Sequence, residues 1–86
     1  MEGAKNEEKI PIESPLIAVE YRTLSKGFGW WAAAVLVDSW GRKQICLYLW
    51  QRKPEGWKRK QKFTIHDPEK WEQIASAVEE LLPKMK

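Results

Sequence analysis

The residues best equipped for chemistry lie together between Tyr48 and Lys62, YLWQRKPEGWKRKQK, where three aromatic rings and six cations share fifteen residues with one acid, Glu55. Unpaired nucleic acid offers such groups two targets, phosphates for Lys and Arg and open base faces for rings, with stacking worth roughly 1–3 kcal/mol per base. Extending the span back to Trp40 adds another ring together with Arg42 and Lys43, giving eight cations against the same single acid. The candidate stacking rings are therefore Trp40, Tyr48, Trp50 and Trp57. The candidate phosphate contacts are Arg42, Lys43, Arg52, Lys53, Lys58, Arg59, Lys60 and Lys62. Basic residues interleaved with aromatic ones are the footprint of a nucleic-acid groove. The first twenty residues are opposite in character, with five glutamates against Lys5 and Lys9.

Other chemistries are poorly supplied. His66 and Cys46 are the sole residues of their types, no nucleophile motif or phosphate-binding glycine loop is present, and the carboxylates are scattered over the N-terminal arm and the C-terminal region. The expectation is a protein that is not an enzyme, with no cofactor, no metal and no small-molecule substrate. A lone cysteine excludes an internal disulfide and fits a reducing compartment. No apolar run reaches the roughly 18 residues of a membrane span, so an intracellular protein of cytoplasm or nucleoid, with no membrane partner, is expected. A chain of 86 residues supports one domain that buries only about 60% of its unfolded surface, and dimerisation would add to it.

The elements that must position these groups follow from periodicity. Residues 1–14 read as a flexible acidic arm and residues 15–86 as a single ββββα domain. A first strand spans Leu16–Leu24, before the turn SKGFG. Trp30–Trp40 is apolar on both alternations through Val37, as in a strand covered on both faces or at a subunit contact. Between Lys43 and Arg52 the alternation places Ile45, Leu47 and Leu49 toward the core, and Cys46, Tyr48, Trp50 and Arg52 on the opposite, functional face. Lys53–Gly56 is a turn. In the fourth strand, Trp57–His66, Lys58, Lys60 and Lys62 share one face while Phe63 and Ile65 join the core. Asp67 caps a helix that Pro68 begins, and Trp71, Ile74, Ala75, Val78 and Leu81 or Leu82 form a stripe that packs on the sheet. The predicted class is α+β: a four-stranded antiparallel meander with one C-terminal helix packed on one face, with Trp71 and at least one of Trp30 and Trp31 in the core.

YLWQRKPEGWKRKQKFTIHDPEKWEQI also resembles the end of the single-stranded DNA-binding domain of the transcriptional coactivator positive cofactor four. The shared pattern is an aromatic strand end, a Pro-Glu-Gly turn, a basic strand and an Asx-Pro-Glu-x-Trp helix start, and it covers Trp40 to about Leu82. The resemblance implies four antiparallel strands, one helix and a homodimer whose strands and loops frame grooves for unpaired DNA. By position Trp50 resembles the stacking tryptophan, with Tyr48 or Gln51 as alternatives. Trp40, Arg42 and Lys43 resemble the family's aromatic and basic loop, Arg59, Lys60 and Lys62 its basic strand, and Trp71 its core helix tryptophan. The family's long Ser- and Lys-rich regulatory arm is replaced here by a short acidic one. That makes the chain more similar to a prokaryotic or archaeal relative, or to ThermoDBP-type archaeal single-stranded DNA binders. The expected function is largely sequence-independent single-stranded DNA binding; the rivals are RNA binding and a Trp-rich protein interaction module.

Overall fold

The computed structural model describes residues 9–85. Four strands, β1 (Ile17–Gly27), β2 (Trp30–Ser39), β3 (Arg42–Lys53) and β4 (Gly56–Ile65), precede helix α1 (Pro68–Leu81) and a single 3-10 turn, Leu82–Lys84. The strands pair antiparallel in the order β1-β2-β3-β4, an α+β meander as expected. Among the described residues, no helix is long and apolar enough to cross a membrane.

The first strand runs three residues further than its sequence pattern suggests, because the turn after it needs only Phe28 and Gly29. Both take positive φ, 52° and 81°, and so do Trp40 and Gly41 after β2, at 57° and 86°. Positive φ at both central residues is the signature of the type I′ hairpin, whose twist matches that of the strands it joins. Gly56, at φ 127°, ends the turn opened by Pro54.

Alternation holds along β2 and β3, but in β3 the buried face is the reverse of the one expected. The core consists of Trp31, Ala33, Val35 and Val37 from β2 with Cys46, Tyr48 and Trp50 from β3. Ile45 is exposed, and Leu47 and Leu49 are only half-buried. The cause is the covering layer. Ile10, Ile12 and Leu16 fold back onto the Trp31–Trp50 face, and Ala18, Tyr21 and Trp57 close its margins. Ile10 and Ile12, expected as part of the arm, thus pack on the core; residues 1–8 of the arm lie outside the described residues.

Helix α1 covers only one end of the other face. It lies nearest β4, its Pro68 and Trp71 line a cavity with Leu36, Ile45 and Ile65, and none of its residues is buried. Trp71 is 48% exposed, and Phe63, expected in the core, is equally open. Ile65 is buried, as expected. The helix begins where the sequence placed it: the Asp67 carboxylate accepts the Lys70 backbone N–H at 2.8 Å, with Pro68 in the first turn. Loss of an N-cap costs about 1 kcal/mol. Asp67→Ala should therefore lower stability by about that much in urea denaturation followed by circular dichroism.

Candidate nucleic-acid interface

Residues two apart on a strand share a face, so Tyr48 and Trp50 stand side by side. Their rings stack at 4.9 Å between centroids and 7° between planes. The register sets Trp31 opposite Trp50 and Ala33 opposite Tyr48. Trp31 meets Trp50 at 5.3 Å and Trp57 at 5.5 Å, and its indole N–H donates to the Thr23 hydroxyl at 3.1 Å. The result is a continuous aromatic floor with every large ring held by at least one other.

Cations border this floor. Lys26 Nζ sits 4.0 Å from the Trp31 ring centroid, the Arg52 guanidinium 5.4 Å from Trp57, and Lys62 Nζ 5.7 Å from Tyr48. Such contacts are worth about 0.5–1 kcal/mol at exposed sites and orient the charge over the ring face. Burial pushes the Tyr48 hydroxyl above its usual pKa; its neighbour Cys46 adds to the rise, and the positive charge of Arg59 opposes it.

A β-bulge decides which cations reach the floor. Between β3 and β4 the register steps from Leu49–Gln61 to Trp50–Arg59, leaving Lys60 as the extra residue. Directly paired residues share a face, so Arg59 joins Lys62 on the Tyr48–Trp50 side. Lys58 pairs with Gln51, which pairs in turn with Trp30, and therefore lies on the opposite face. The expected single row of Lys58, Lys60 and Lys62 does not exist. Arg59, Lys60 and Lys62 are all exposed. Arg59 and Tyr48 also line one groove with Pro11, Ile12, Glu13 and Leu16.

The remaining candidates divide between the two ends of the sheet. Trp40 stands in the β2–β3 turn, 83% exposed, and Arg42 and Lys43 open β3 beside it. Lys43 Nζ lies 3.7 Å from the Asp38 carboxylate, which also accepts the Gly41 N–H at 2.9 Å. Arg52, Lys53 and Trp57 lie at the far end of β3, roughly 36 Å away for a strand of this length. Within one protomer Trp40 and Trp57 do not converge. Trp50 is 1% exposed and Tyr48 4%, so neither is the open stacking ring expected of it. Trp57 is half-buried.

Lys26 escaped the sequence reading because it lies among the residues taken for a turn. Once β1 is known to continue through Gly27, the pairing of Lys26 with Trp31 follows. Among the described residues no group of three His, Cys, Asp or Glu side chains could hold a metal ion. His66 is an exposed residue just before the helix cap, and the buried Cys46 thiol contacts the Thr64 hydroxyl at 3.6 Å.

Comparison with known proteins found no family model that matches this chain, and no curated protein or solved structure that matches it.

Proposed function

We propose that this chain is a non-enzymatic nucleic-acid-binding sheet domain whose ligand is an unpaired strand. The particular activity is largely sequence-independent binding of single-stranded DNA. The observation that carries this reading is the placement of exposed Arg59 and Lys62 beside the Tyr48–Trp50 stack, with Lys26 and Arg52 over the neighbouring indoles. The buried rings form a rigid floor that fixes the cations, and base stacking falls to the exposed Trp40 and the accessible part of Trp57. Cations at an aromatic surface suit a flexible backbone with open bases. Direct competition between matched DNA and RNA single strands and DNA duplex tests the assignment. Single-stranded DNA should displace the label best, and preference for RNA would transfer the site to the rival ligand.

The functional unit in this proposal is a homodimer. The sheet face opposite the core carries Ile45, Leu47, Leu49 and Phe63, and α1 carries Trp71, Ile74, Val78 and Leu81, none of them fully buried. Two largely open apolar surfaces on one chain, meeting only where Trp71 adjoins Leu36, Ile45 and Ile65, are complementary under a two-fold axis that lays each helix on the partner's sheet. Ile45→Lys combined with Phe63→Lys should leave the monomer folded and reduce the sedimenting mass at micromolar concentration to that of one 10.1 kDa chain. An unchanged mass would place the subunit contact elsewhere.

A further inference from the structure

The β1–β2 turn holds a residue that neither the fold nor the site above requires. Phe28 takes φ 52° with its ring fully exposed. A bulky L-residue is disfavoured in the left-handed region, and type I′ turns favour Asn-Gly or Gly-Gly instead. The ring recovers nothing through burial. Strain that folding does not need clusters at functional positions. Trp40 repeats the pattern at the other end of β2, exposed at φ 57° and likewise followed by a glycine.

The surroundings of Phe28 indicate what its ring would meet. The Arg52 backbone N–H donates to the Gly29 carbonyl at 2.8 Å, which fastens the β3–β4 turn beside the β1–β2 turn. Arg52 and Lys53 are thereby brought to the same end of the sheet, with Glu55 as the acid of that turn. Trp30, next along β2, is 38% exposed. An exposed aromatic ring beside cations has the chemistry for a base and its phosphates.

We propose that Phe28 is a second base-stacking site, with Arg52 and Lys53 contacting the adjoining phosphates. This rests on the proposed single-strand binding and extends it: one bound strand passes the β4 edge with Arg59 and Lys62 and reaches both Trp40 and Phe28, which flank the two ends of β2 roughly 30 Å apart. Binding of a labelled long oligothymidylate by Phe28→Gly, Phe28→Trp and Trp40→Ala tests it. Phe28→Gly lowers affinity about fivefold to a hundredfold, while its thermal midpoint holds or rises because glycine accepts the turn geometry. Phe28→Trp keeps the affinity. Wild-type affinity in Phe28→Gly alongside weakened binding in Trp40→Ala overturns the second site and leaves single-strand binding standing. Failure of the wild-type protein to bind overturns both. A lower thermal midpoint or a smaller sedimenting mass in Phe28→Gly assigns the ring to packing and also overturns the second site.

Discussion

Trp50→Ala is expected to cost about 3–5 kcal/mol of folding stability, the range for emptying a buried aromatic site. Trp50 is 1% exposed, stacks on Tyr48 at 4.9 Å and meets Trp31 at 5.3 Å, so its removal opens a cavity at the centre of the aromatic floor. Against a total of about 5–15 kcal/mol for a domain, that loss moves the urea midpoint far to the left or unfolds the chain outright. Trp71→Ala should behave differently. Its ring is 48% exposed on a helix with no buried residue, so the isolated chain loses less than about 1 kcal/mol. In a dimer with the helix on the partner's sheet, the effect of Trp71→Ala instead depends on protein concentration. Urea denaturation of both variants at two concentrations separates these outcomes. A stable Trp50→Ala and an unfolded Trp71→Ala would reverse the assignment of faces.

The second large effect belongs to Arg59 and Lys62, the pair that the bulge at Lys60 brings to the Tyr48–Trp50 side. Each phosphate contact on a single strand contributes about 0.7 to the slope of log affinity against log salt. Removing two contacts should flatten that slope by about 1.4 and weaken binding roughly 25-fold at 0.1 M salt. Arg59→Ala combined with Lys62→Ala should therefore show both changes with little loss of stability, since both side chains are exposed. Lys84→Ala, in the turn after the helix, serves as the control and should leave both quantities unchanged. An equal effect from Lys84→Ala would mean that net charge, and not this site, governs binding.

Much of the architecture can be read from the sequence because the signals are local. Period-two alternation from Lys43 to Arg52 defines β3, Gly29 and Gly41 mark positive-φ turns, and Asp67–Pro68 starts the helix. Alternation, however, says which residues share a face and not which face is covered. That choice depends on Ile10, Ile12 and Leu16 folding onto the Trp31 side and on α1 reaching only the Ile45–Ile65 end of the other. The apolar sets Ile45–Leu47–Leu49 and Cys46–Tyr48–Trp50 are both credible cores until a covering layer is known. The bulge at Lys60 is also hidden, since one extra residue in WKRKQK changes the facing of Lys58 and Arg59 without altering composition. The cations of the site were thus legible as a group, whereas their division between two faces was not.

Central to this account is the binding of an unpaired strand through phosphate neutralisation at an aromatic sheet face. Fluorescence anisotropy of a labelled oligothymidylate, titrated with the protein at several salt concentrations and repeated with matched duplex, tests it most directly. With about four to six phosphates neutralised, affinity for the single strand should exceed that for duplex and fall with a log–log slope of roughly −3 to −4. Equal affinity for the two forms, or binding that does not respond to salt, would contradict it.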